Sequence, residues 1–292
     1  MHICFNPVNI NTHIMFNSKE HQKPLQVKHF EYNRDSFDKN IITPDFKRIN
    51  TPVEDINEYR SIIHNLMKAI SNNGDYAYFK ECDLEWYKDI DIEEMGLIPY
   101  CGFEGSHEII NNYMTGLLNK NTEKYKSILP VNLTTIPEVI RALEYSLKKL
   151  DKNYGTHQGT VYRQGFMCES PNRYISTTLN PYIASCIYGD WRIKSNNQYS
   201  VIQVNNGHRI VDFQRAAGVP SADGEQEILL PYTNNYRKIQ DNELTDELRK
   251  AKIQLASSLF KDANLLFNGK ADKVNGYTKE DLLKMVEVYV QK

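Results

Sequence analysis

Long hydrophobic runs are missing from this chain. No stretch approaches the roughly 18 apolar residues that a membrane-crossing helix needs. Neither sign of charge is in excess, since 35 Lys and Arg stand against 37 Asp and Glu for a net charge of -2. That balance excludes the strongly basic surface that grips nucleic acid through its phosphates, although it leaves room for a small basic groove. Cysteine is scarce: Cys4, Cys82, Cys101, Cys168 and Cys186 make an odd set with no C-x-x-C pair and no His at zinc-finger spacing. They read as reduced thiols of a cytosol-like compartment, and no metal site is expected. The 14 glycines include no Gly-rich fingerprint after a strand, so a doubly wound nucleotide-binding fold has no support. The start, MHICFNPVNINTHIMF, lacks a basic region and an unbroken apolar run, so a standard signal peptide is not expected.

What remains is a folded, aromatic-rich chain. With 19 Tyr, 11 Phe and 40% hydrophobic residues it is too apolar for disorder. Its 292 residues allow two domains or one core with additions. Apolar residues recurring every three or four positions predict helices over 51–70, near Ser106–Asn119 and from Pro137 to Leu150, the last with Thr135 as cap. After the polar break at Asp151–Gly155 the apolar runs become short and turn-bounded. Thr160–Arg163, Arg173–Ser176, Tyr199–Val204, Arg209–Phe213 and Glu227–Leu230 read as strands, with Asn206-Gly207 as a tight turn between two of them. Asn180-Pro181 opens a helix over Asn180–Ile187. Helical patterns return over Thr245–Phe267 and behind a Thr278/Asp281 capping box that leads into Leu282, Met285 and Val286. Helices, then a block of mostly antiparallel strands, then helices make an α+β fold.

Three features of the strand block carry potential chemistry. Arg163 ends a strand before Gly165, where a guanidinium fork grips phosphate or braces carbonyls; it is equally a surface arginine at a strand end. Ser176-Thr177-Thr178 places three hydroxyls before a capped helix, a composition that also suits an ordinary turn. Glu225-Gln226-Glu227 precedes an apolar strand. If both glutamates are extended, period-two geometry aims them the same way, a costly arrangement unless they have partners or work; an acidic exposed strand start is the plain alternative.

In this order the three motifs resemble those of the mono-ADP-ribosyltransferases, and more narrowly the Arg–Ser–Glu branch that holds many bacterial toxins and effectors. The resemblance runs from about Thr135 to Lys238, with Gln164 inserted between Arg163 and Gly165 and a short 13-residue spacing from Arg163 to Ser176. It implies a β-sandwich catalytic core over 131–240. Around it would lie a mostly helical region over 1–130, serving as an extension or a target-recognition segment, and a helical segment over 241–292. It implies NAD as substrate, transfer of ADP-ribose to a host protein, release of nicotinamide, and no metal. Glu227 would stabilise the positively charged ribose, Ser176 would fix Glu227, and Arg163 would hold the phosphate region. Glu225 would orient or deprotonate the acceptor, with arginine favoured by the Glu-x-Glu form. Gly165, Thr177, Thr178, Tyr188, Trp191 and Arg192 would complete the NAD cleft. Phe213, Arg215, Gly218 and Pro220, with Glu225, would lie in the acceptor-recognition loop. The implied setting is a monomer exported by a specialised bacterial route and acting in host cytosol. An NAD glycohydrolase of the same fold, an inactive binding module and a glycosidase are the competing readings, the last disfavoured by the close carboxylate spacing.

Overall fold

The structure is a computed structural model. It describes residues 41–72, 90–101, 106–118, 135–165, 172–186, 198–219, 222–260 and 262–292. The N-terminal part is helical: α1 (Phe46–Ile49), α2 (Ile56–Asn72), a 3-10 turn (Ile92–Leu97), α3 (Ile98–Cys101), α4 (Ser106–Met114) and α5 (Ile136–Tyr154). Next come β1 (Thr156–Gln164), β2 (Ile175–Thr178), α6 (Pro181–Cys186), β3 (Tyr199–His208), α7 (Ile210–Ala216), α8 (Ala222–Glu225), β4 (Glu227–Leu230) and β5 (Tyr236–Ile239). The chain ends with α9 (Asp246–Ser258), α10 (Asn264–Phe267), α11 (Lys279–Lys284) and β6 (Val286–Gln291).

The strands form two layers. One is four-stranded in the order β1-β3-β6-β5, with β1 antiparallel to β3 from Thr156↔His208 to Gln164↔Tyr199. The other is the antiparallel pair β2 and β4, in register from Ile175↔Leu230 to Thr178↔Glu227. Single bridges, Tyr162↔Thr178 and His208↔Leu229, join the layers at two corners. Alternation along each strand then builds three cores. Val161, Ile175, Ile202, Val204, Ile228 and Leu230 meet between the layers. Tyr174 and Leu229, on the opposite face of the β2–β4 layer, pack with the N-terminal helices. Tyr162, Tyr199, Val201, Val286 and Val288, behind the four-stranded layer, pack with α9 to α11. The protein is an α+β sandwich flanked by helices from both ends of the chain.

Several expectations need correction. Arg209–Phe213 is not a strand: Arg209 caps α7, where Ile210, Val211, Phe213 and Gln214 are buried at helical spacing. The β-branched pair mimics a strand locally, but the buried stripe decides the outcome. Asn206-Gly207 is not a hairpin turn, because β3 runs through both residues. A Cβ on Gly207 would lie 2.5 Å from Ile228 Cγ2, so the glycine admits close approach of the two layers. Thr245–Phe267 is two helices, α9 and α10, rather than one. The C-terminal segment is not wholly helical, since Val286 begins β6, which lies parallel to β3 inside the sheet. Thr135 occupies the cap position of α5 without a side-chain capping bond. Among the described residues no helix is long and apolar enough to cross a membrane, and no cluster of three or more His, Cys, Asp and Glu is placed to hold a metal ion.

Candidate functional site

The site is built at the end of the β2–β4 pair. Register sets Thr178 opposite Glu227. The Ser176 hydroxyl, two residues back on β2 and so on the same face, donates to Glu227 Oε1 at 2.5 Å. Arg163 Nη1, from β1, donates to the Ser176 carbonyl at 2.5 Å. Of its two sequence readings, bracing a carbonyl is the one this contact realises. Thr178 Oγ1 donates to the Glu225 carbonyl at 2.5 Å and accepts from the Asn180 amide at 2.9 Å, tying the start of α6 to the end of α8. Thr177, facing the other way, donates to the Ile228 carbonyl at 2.7 Å. The three hydroxyls therefore have separate duties: one holds the carboxylate and two hold backbone.

Glu225 does not lie extended beside Glu227. It ends α8, and Gln226 between them has φ 48°, in the left-handed region, so period-two geometry does not apply. Both carboxylates nevertheless act on one neighbour: Cys101 at the end of α3 has its thiol pushed well up, first by burial and then by Glu227 and Glu225. The phenol of Tyr100 is also raised by burial and by Glu227, and burial lowers His107 against the opposing pull of Glu108 and Glu227. Residues of α3 and α4 thus border the site. Asn111 of α4 accepts the backbone N–H of Tyr174 at 2.8 Å, two residues before Ser176. The Tyr174 hydroxyl donates to Glu144 of α5 at 2.5 Å.

Gly165 has φ 95°, a conformation that favours glycine, and its carbonyl accepts from Ser200 Oγ at 2.9 Å. The expected recognition loop is largely helical. Phe213 is a core residue with no exposure, so it presents nothing to an acceptor. Gly218 follows α7 as the turn glycine of a Schellman motif, in which its N–H bonds the Arg215 carbonyl and that of Val219 bonds the Gln214 carbonyl. Arg215 remains exposed and pairs with Asp223 at 2.7 Å, bridging α7 to α8. Tyr188, Trp191, Arg192 and Pro220 lie outside the described residues.

One residue at the carboxylate escaped the sequence reading. Gln214, 2% exposed on α7, places Nε2 at 3.3 Å from Glu227 Oε2. Its signal was a polar residue on the buried stripe of a helix, hidden because α7 was expected to be a strand and a loop.

No protein-family model and no curated protein matches the chain. Among solved structures it is similar to three bacterial proteins. The Vis toxin, an ADP-ribosyltransferase from Vibrio splendidus, is 17% identical at TM-score 0.34, over 69% of this chain and 86% of that one. The ADP-ribosyltransferase HopU1 of Pseudomonas syringae pv. tomato DC3000 is 16% identical at TM-score 0.36, over 79% and 87%. The type III effector XopAI from Xanthomonas axonopodis pv. citri is 13% identical at TM-score 0.34, over 81% and 77%. Likenesses this distant carry no weight for mechanism, which rests on the site itself.

Proposed function

We propose that this protein is an NAD-dependent mono-ADP-ribosyltransferase that modifies a side chain of a host protein, arginine by preference. The observation that carries the reading is the Ser176–Glu227 hydrogen bond, set on a backbone that Arg163 and Thr178 clamp. It joins all three motifs of the resemblance around one oriented carboxylate. The polar groups suit NAD: Glu227 is a carboxylate that can accept from a ribose hydroxyl, and Arg163, bonded to the carbonyl of the residue that holds Glu227, is a guanidinium for phosphate.

NAD supplies nicotinamide as a leaving group, which departs with the electron pair of the N-glycosidic bond. The protein's task is to place negative charge where positive charge develops and to present the acceptor on the opposite face. Glu227, held by Ser176, provides that charge without reorganising. Arg163 keeps β2 in place and offers its charge to the phosphates. Glu225 accepts the proton that a guanidinium must lose before its nitrogen attacks the ribose carbon. The acceptor then carries ADP-ribose, and nicotinamide is released. Export by a specialised secretion route and action as a monomer in host cytosol complete the proposal.

The test is incubation with labelled NAD and a host lysate, followed by mass spectrometry of the labelled protein. Label on an arginine side chain is the expected result. Nicotinamide release without any labelled protein would instead make the chain a glycohydrolase. Glu227→Ala should abolish both cleavage and transfer, a fall of about 100-fold or more. Glu225→Ala should reduce transfer far more than cleavage, and equal loss of both in a folded variant would remove the role given to Glu225.

A further inference from the structure

Glu227 has two carboxylate oxygens, and Ser176 accounts for one. We propose that Gln214 is the second positioning residue of this carboxylate, holding Oε2 from α7 while Ser176 holds Oε1 from β2. The inference rests on the catalytic reading of Glu227 given above and adds a residue to it.

Chemistry fixes the orientation of the amide. An ionised carboxylate only accepts hydrogen bonds, so the nitrogen of Gln214 must face Glu227, and its distance to Oε2 is 3.3 Å. The side chain does not serve the core in any other polar way, because its Oε1 is buried with no partner among the described residues. A long polar side chain 2% exposed on an apolar helix face is costly to keep unless that one bond matters. The backbone is also fixed: the Gln214 carbonyl accepts the Val219 N–H in the turn that ends α7, and the neighbouring Phe213 is fully buried. Donors from two separate elements, one on each oxygen, define the plane of the carboxylate. A single hydroxyl leaves it free to rotate.

Two substitutions test this in the full-length protein. Gln214→Met keeps the length and volume but removes the donor. Gln214→Glu keeps the shape and sets a second carboxylate against the first. Gln214→Met should lower kcat for NAD cleavage about tenfold while KM for NAD stays within about threefold, and Gln214→Glu should lower kcat further. A purely structural role would lower the melting temperature and leave kcat of the folded variant unchanged, and that result overturns the proposal.

The second readout needs no turnover. In nitrogen-15 NMR, the Gln214 side-chain amide should exchange slowly with solvent in the wild type, and Glu227→Ala should speed that exchange about tenfold or more. Exchange that is unchanged in Glu227→Ala overturns the proposal. If the wild type cleaves no NAD at all, the functional reading fails while the NMR exchange measurement still decides the role of Gln214.

Discussion

The helical layers on the two sides of the sandwich are built differently. The N-terminal layer packs against the strands that carry Ser176 and Glu227, and it does so with buried polar contacts between distant parts of the chain. Asn111 bonds the backbone of Tyr174, Glu144 bonds its hydroxyl, and Tyr174 stacks edge-on between Tyr100 and Tyr232. Arg141, buried in α5, ties α2 and the turn before it through Glu58 and the carbonyls of Thr51 and Pro52. The C-terminal layer packs on β3 and β6 through an apolar cluster that also takes in Tyr162 of β1 and Ala184 of α6, behind the site. Its polar contacts to those elements include Tyr162 to Gln254 and Ser258 to the Pro181 carbonyl. Directional bonds fix position, whereas apolar burial mainly stabilises. The first layer is therefore part of the site's alignment, and the second holds the sheet together.

The largest expected effect of that division is on stability. Leu255 of α9 has no exposure and sits in the C-terminal core. Leu255→Ala should cost about 2–5 kcal/mol, read by urea unfolding, yet leave kcat of the folded fraction unchanged. A fall in kcat at temperatures where the variant is fully folded would break the comparison.

The opposite pattern is expected from the N-terminal layer. Asn111→Leu leaves the Tyr174 N–H buried without its acceptor, a loss of about 1–3 kcal/mol. Because Tyr174 leads directly into the strand bearing Ser176, kcat for NAD cleavage should fall as well, by about tenfold, with the protein folded. Wild-type kcat in this variant would show that the N-terminal helices support the sandwich without aligning the site.

The sequence exposes those parts whose signals are local. The β4 strand was legible to its ends because an apolar run lies between Gly224 and Pro231. The start of α6 was legible because Asn180 accepts the Tyr182 N–H as a cap ahead of Pro181. Arg163, Ser176 and Glu227 were legible as motifs, and the structure brings them together. What was missed depends on partners far along the chain. The alternation of Val286, Val288 and Val290 follows α11 so closely that the helical stripe of Leu282 and Met285 runs into it, and only the parallel pairing with β3 separates the two. Gln214 looks like an ordinary loop residue until α7 folds against Glu227. The shared face expected of Glu225 and Glu227 failed at one dihedral, the positive φ of Gln226, which period-two reasoning does not anticipate.

The smallest effect sharpens the comparison most, because it perturbs the C-terminal layer without opening a cavity. Thr278 Oγ1 accepts the Asp281 N–H at 3.2 Å, and Asp281 Oδ2 accepts the Thr278 N–H at 2.8 Å, closing the capping box of α11. The Thr278 N–H and the Thr278 hydroxyl, both donating to Asp281 Oδ2, hold the Asp281 carboxyl below its ordinary value of 3.8. Thr278→Ala removes half of the box and should cost about 1 kcal/mol. That loosens the helix that delivers β6 to its place beside β3. Hydrogen exchange should quicken in α11 and at the start of β6, while β2 and β4, the site strands, keep wild-type protection. With those strands undisturbed, kcat and KM for NAD should match wild type. Faster exchange at Ser176 or Glu227 would mean that the two layers act on the site as one.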